Sequence, residues 1–79
     1  MLYALSTCGH CKNTKRLMKE LGVDCDIVDV DLLDESEKKT VLAEVRKLNP
    51  SVSFPTIIIG DRVIVGYRER EIKEALGIS

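Results

Sequence analysis

Two thiols separated by two residues, in Cys8-Gly9-His10-Cys11, are the groups of this chain best suited to do chemistry. They lie where a short apolar run opening at Leu2 gives way to a stretch with helical periodicity. A Cys-x-x-Cys at a strand-to-helix junction is built to cycle between dithiol and disulfide. Both sulfurs then sit on the first helical turn, the leading one at its open N-terminus. Unpaired N–H groups and aligned peptide dipoles stabilise a thiolate there. Cys8 is the expected nucleophile. Cys11, one turn deeper, is the expected resolving thiol.

Structural zinc is the competing chemistry, and it needs two further ligands with a spacing of their own. The chain offers only His10, inside the loop itself, and Cys25, isolated on the next candidate strand. No metal is expected, and no organic cofactor, since the electrons travel on sulfur. His10 reads either as a polar spacer or, when protonated, as a cation favouring the neighbouring thiolate. Lys12 adds positive potential near Cys8, while Lys15 and Arg16 read as a charged outer helix face. Cys25 reads as a small strand residue without redox work.

Composition narrows the setting. Seventy-nine residues make one small domain, 1–79, with room for one sheet, flanking helices and a thin core. Twelve basic against 13 acidic side chains leave a net charge of -1, which offers no polybasic field for nucleic acid or an anionic membrane. The apolar runs are far shorter than a membrane span. No basic-then-apolar leader precedes the first candidate strand, so a cytoplasmic setting is expected, with a monomer as the working assembly. An odd cysteine count with one close pair argues against a disulfide-stapled secreted scaffold.

The elements that must position the thiols are legible as alternating patterns. Leu2 to Ser6 reads as a strand and Thr7 to Gly9 as a turn. A helix follows from about His10 to Leu21, with Leu17, Met18 and Leu21 inward, and Gly22 as its stop. Cys25 to Val30 reads as the second strand, completing a βαβ unit with parallel pairing. Asp34 and Glu37 cap a second helix that runs to about Leu48, burying Val41, Leu42, Val45 and Leu48, before Asn49-Pro50 ends it. Thr56–Ile59 and Arg62–Val65 flank Gly60-Asp61 as an antiparallel hairpin. A last helix to about Leu76 buries Ile72, Ala75 and Leu76. The expected architecture is α/β, β-α-β-α-β-β-α, a four-stranded mixed sheet with three helices.

At this point the chain resembles a glutaredoxin, within the thioredoxin-like fold. The resemblance rests on Tyr3-Ala4-Leu5-Ser6-Thr7 leading into the thiol pair, on Val28-Asp29-Val30-Asp31, and on Ser53-Phe54-Pro55-Thr56 ahead of Ile57-Ile58-Ile59, with Gly66 after the hairpin. It implies a dithiol reductant of protein disulfides or glutathione mixed disulfides. It also implies a cis Phe54–Pro55 bond facing the thiols, with Thr7, Gly9, Phe54, Pro55, Gly66, Tyr67 and Arg68 as substrate-binding positions. Two stretches depart from the family pattern. Gly9-His10 stands where glutaredoxins typically carry Pro-Tyr, and Gly66-Tyr67-Arg68-Glu69 stands where Gly-Gly and a Ser/Thr-Asp pair usually hold glutathione.

The second departure is similar to the small glutaredoxin-like electron donors of ribonucleotide reductase, which thioredoxin reductase recycles. The leading expectation is a thiol–disulfide oxidoreductase acting on protein disulfides, with glutathione as an optional reducing co-substrate. A dedicated electron donor served by a flavoprotein reductase is the alternative. A non-catalytic adaptor, with Cys8–Cys11 as a staple, is the third reading.

Overall fold

Leu2, Tyr3 and Ala4 are all buried, which a strand achieves only with layers packed on both of its faces. They form β1 (Leu2–Ala4) in a computed structural model that describes residues 1–77. The other elements are α1 (Gly9–Glu20), β2 (Ile27–Asp29), a 3-10 turn (Val30–Leu32), α2 (Glu35–Leu48), β3 (Thr56–Ile59), β4 (Arg62–Val65) and α3 (Glu69–Ala75). The sheet is mixed, in the order β2-β1-β3-β4. β1 runs parallel to β2 and antiparallel to β3, and β3 pairs antiparallel with β4. This is the thioredoxin-like arrangement expected from the sequence.

Alternation along β1 divides the core. Leu2 and Ala4 pack with Cys11, Leu17, Met18 and Ile72, which puts α1 and α3 on one face. Tyr3 packs with Val30 and Val45, which puts α2 on the other. No helix among the described residues is long and apolar enough to cross a membrane.

Several boundaries differ from the sequence pattern, each for a local reason. β1 stops at Ala4 rather than Ser6 because the Leu5 N–H is directed at Cys11 Sγ, and Cys8 N–H closes a turn onto Leu5 O. β2 spans only three residues because its partner on the sheet is equally short. Cys25 therefore lies outside the strand, and Val30 opens the 3-10 turn. α1 begins one residue before His10 and ends at Glu20, with Gly22 just beyond at a φ of 68° that favours glycine.

α2 carries the cap its sequence announces, Asp34 accepting from the Glu37 N–H at 2.8 Å. Its far end corrects the pattern. Leu48 is 39% exposed, while Asn49 turns inward and is buried. Ile57 is fully buried on central β3, so Ile57→Ala should cost ~2–5 kcal/mol of stability. Leu48→Ala should change it by only ~0.5 kcal/mol. Urea unfolding midpoints check the pair, and equal losses at both positions would return Leu48 to the core.

Candidate active site

The first turn of α1 crosses from surface to core in three residues. Cys8 is the N-cap, extended at φ -82° and ψ 125°, and its sulfur accepts the Cys11 N–H at 3.4 Å. Cys11 is wholly buried beside Leu2, Ala4 and Leu17, where the Leu5 N–H donates to its sulfur at 3.4 Å. Both are free thiols, as is Cys25. Cys25 is half-buried, with its S–H directed at Asp26 O.

This difference in solvation separates the two acidities. The Cys8 thiol falls below its ordinary value because the Cys11 S–H donates to it, with the Cys11 and His10 backbone N–H groups adding to the effect against burial. Cys11 is pushed up to about 11, chiefly by burial, although the Leu5 N–H and the Lys15 ammonium pull the other way. Lys15 corrects its reading as an outer-face charge. Its Nζ lies 2.6 Å from Asp29 Oδ1 on β2, with both side chains about three-quarters buried.

A second loop packs on the same core cluster as Cys8. The Phe54–Pro55 bond is cis, as the resemblance implied, and Pro55 is fully buried. Pro55 O accepts the Gly66 N–H at 2.8 Å, tying the start of β3 to the end of β4. Gly66 holds a φ of 89°, in the left-handed region, and a Cβ there would meet no atom within 4 Å. Backbone conformation alone therefore calls for glycine. Phe54 is half-buried and packs against both core layers.

His10, Val65, Gly66, Tyr67 and Arg68 line a shallow cleft of about 260 Å³. Four of the expected substrate-binding and modulating positions thus converge on one surface. Tyr67 also packs against the core, and Arg68 Nε donates to Val65 O at 3.0 Å. Thr7, Gly9 and Lys12 are exposed on the thiol turn but do not line this cleft.

Three residues matter that sequence reasoning passed over. The Asn49 amide donates to Ser53 O, Ser53 Oγ and Thr56 Oγ1 at 3.1–3.3 Å, bracing the loop that carries Pro55. An asparagine at a helix end before proline was legible only as a stop. Ser6 and Asp31 bond to each other across 25 residues. The parallel register of β1 and β2 and the turn at Val30 together bring them into contact.

A family model for glutaredoxins matches residues 1–64. The chain belongs to the glutaredoxin family. Methanoredoxin from Methanosarcina acetivorans, as a crystal structure, is 54% identical with a TM-score of 0.93, over 98% of this chain and 82% of that one. The glutaredoxin from Methanosarcina mazei Go1 is 55% identical with a TM-score of 0.90, over 98% and 76% of the two chains. A glutaredoxin-like 8.6 kDa protein in the rubredoxin operon of Clostridium pasteurianum is 32% identical, over 95% of this chain and 93% of that protein. This glutaredoxin is a thiol–disulfide oxidoreductase working through the Cys8–Cys11 pair.

The split acidities set a pH signature of the reduced form. Cys8 is lowered in the folded chain, so its contribution is complete above the unfolded value of 9.0 and is lost as pH falls through the folded one. Cys11 is raised, so its contribution is complete below 9.0 and is lost as pH rises toward about 11. Reduced protein should therefore lose roughly 2–3 kcal/mol between these limits through Cys11 alone. Urea titrations in reductant should show that loss in wild type and a much flatter profile in Cys11→Ala. Identical slopes for the two proteins would contradict the assignment.

Proposed function

We propose that this glutaredoxin reduces protein disulfides in the cytoplasm, with Cys8 as the attacking thiol and Cys11 as the resolving one. The observation that carries the reading is the contrast across one helical turn, an N-capping thiol held toward its thiolate and a buried thiol held protonated. Cys8 thiolate attacks one sulfur of the substrate disulfide in line. A Cys8–substrate disulfide forms, and the other substrate sulfur leaves as a thiolate that takes up a proton. Cys11 then gives up its proton and attacks Cys8. The second substrate thiol is released, and Cys8–Cys11 is left oxidised by two electrons.

The surroundings support an extended substrate segment lying between the thiol turn and the Phe54–Pro55 loop. Pairing with the Phe54 backbone supplies affinity without sequence preference. Thr7 and Gly9 border this path, Lys12 adds positive potential, and His10, Gly66, Tyr67 and Arg68 form its far wall.

Cys8→Ser should abolish turnover of protein and glutathione mixed disulfides alike. Cys11→Ser should keep some monothiol exchange with glutathione while accumulating mixed disulfides with protein substrates. At about pH 6–7, alkylation followed by peptide mapping should label Cys8 first, since only the thiolate reacts. Equal rates at Cys8 and Cys11 would falsify the division of labour, and full activity in Cys8→Ser would favour an adaptor role.

We assign the electron source to a thioredoxin reductase on the lining of the cleft. Tyr67 occupies the place where the family's second glycine leaves room, half-buried against the core and lining the cleft. Glu69, nearest the expected aspartate position, pairs with Lys73 at 3.0 Å along α3. Arg68 already meets the Glu71 carboxylate at 3.8 Å, and exposed pairs of this kind contribute only ~0.2–1 kcal/mol each. Glutathione should therefore turn over slowly and without saturation, and a thioredoxin reductase should recycle the oxidised protein faster. Separate assays with glutathione plus its reductase and with thioredoxin reductase decide this. Ready saturation with glutathione and the faster rate would assign the electrons to glutathione.

A further inference from the structure

Asp31 stands outside the mechanism so far, yet it makes the most direct side-chain contact with the turn that carries Cys8. Its Oδ1 accepts the Ser6 backbone N–H at 2.9 Å and its Oδ2 accepts the Ser6 hydroxyl at 2.5 Å. Both oxygens of one carboxylate thus hold one residue by charge-assisted bonds, the strong class of hydrogen bond. The carboxyl stays below its usual range because those Ser6 donors favour its charged form.

Ser6 is the second residue of a four-residue turn. Cys8 N–H closes that turn onto Leu5 O at 3.2 Å. The first residue, Leu5, sends its own N–H to Cys11 Sγ at 3.4 Å. Fixing Ser6 therefore fixes the donor to the buried sulfur and the backbone of the exposed one. The anchor itself is rigid. Asp31 is the middle residue of the 3-10 turn, and the preceding Val30 is buried against Tyr3 and Val45 on the α2 face. Asp31 is exposed; its own backbone N–H and the Lys38 ammonium also favour its charged form, but less than the two Ser6 bonds do.

We propose that Asp31 is a positioning residue for the thiol pair, holding the Leu5–Cys8 turn through Ser6 so that both sulfurs keep their backbone donors. The inference rests on Cys8 being the attacking thiol. It makes Asp31 act against its own charge. As a bare anion it disfavours a nearby thiolate, whereas as a clamp it preserves the N–H groups that stabilise one. At an exposed site the bare-charge effect is strongly screened by salt.

The opposition of sign supplies the test. The full reduced chain is alkylated with iodoacetamide across pH, with peptide mapping to follow Cys8 alone, in wild type, Asp31→Ala and Asp31→Asn. Asparagine keeps an acceptor for the Ser6 N–H and lacks the charge. Asp31→Ala should raise the apparent Cys8 pKa and slow protein-disulfide reduction on the order of tenfold, as misplaced reacting groups do. Asp31→Asn should recover most of both. In a Ser6→Ala background, Asp31→Ala should have a smaller effect, since part of the contact is already gone. Circular dichroism confirms that each variant is folded.

A lowered Cys8 pKa of equal size in both Asp31 variants would show a charge effect and overturn the proposal. Unmoved profiles with only a stability loss would reduce Asp31 to a structural tie and overturn it as well. If wild-type Cys8 is not the fast-labelling thiol, the underlying assignment of the nucleophile fails instead.

Discussion

Placing one thiol in water and its partner in the core within a single helical turn is the constraint on which this structure depends. Cys8 must remain at the open end of α1, and Cys11 must reach a fully buried site beside Leu2 and Ala4. That is possible only if α1 starts immediately over the end of β1 and points its first turn into the sheet. β1 must then end early, and the turn from Leu5 to Cys8 must be tight. The Leu5 N–H, no longer needed by the sheet, goes to Cys11 Sγ. A backbone donor that would have extended the strand instead compensates a buried sulfur.

The opposing loop obeys the same economy of backbone groups. Pro55 has no N–H to offer, and its carbonyl is taken by Gly66 at the end of the neighbouring strand. Phe54 spans both core layers, so its backbone is placed by the sheet below it. Asn49 reaches the same loop from the end of α2. The ends of α2 and β4 therefore converge on the loop that carries Phe54 and Pro55. Binding residues on loops work when a rigid scaffold places them.

What could be read from the sequence was what local periodicity and turn chemistry control. The thiol pair, the Asp34 cap, the Thr56–Val65 hairpin and the Gly22 stop all depend on residues a few positions apart. The Pro55 geometry came from the family likeness, not from local propensity. The misses are of another kind. Lys15 meets Asp29 only because β2 pairs with β1 in one particular parallel register. Asp31 meets Ser6 only because β2 ends after three residues and the chain turns at Val30. Leu48 keeps helical spacing with Val45, yet α2 ends where Asn49 claims the inward direction. Contacts set by register, and faces set by where an element ends, have no signature within a window of a few residues.

The Gly9-His10 dipeptide can now be weighed against the Pro-Tyr usual in the family. Cys8 is the N-cap, so Gly9 is the first helical residue, a position that proline fits because its missing N–H has no helical partner there. The donors that act on the Cys8 sulfur are the N–H groups of His10 and Cys11. Proline at position 9 would remove neither. The difference therefore falls on stiffness and on side chains, not on the number of donors to the thiolate. Glycine loses more backbone freedom on ordering than any other residue. A freer Gly9 makes the turn depend more on its other attachments, and the firmest of these is the Ser6–Asp31 clamp immediately upstream.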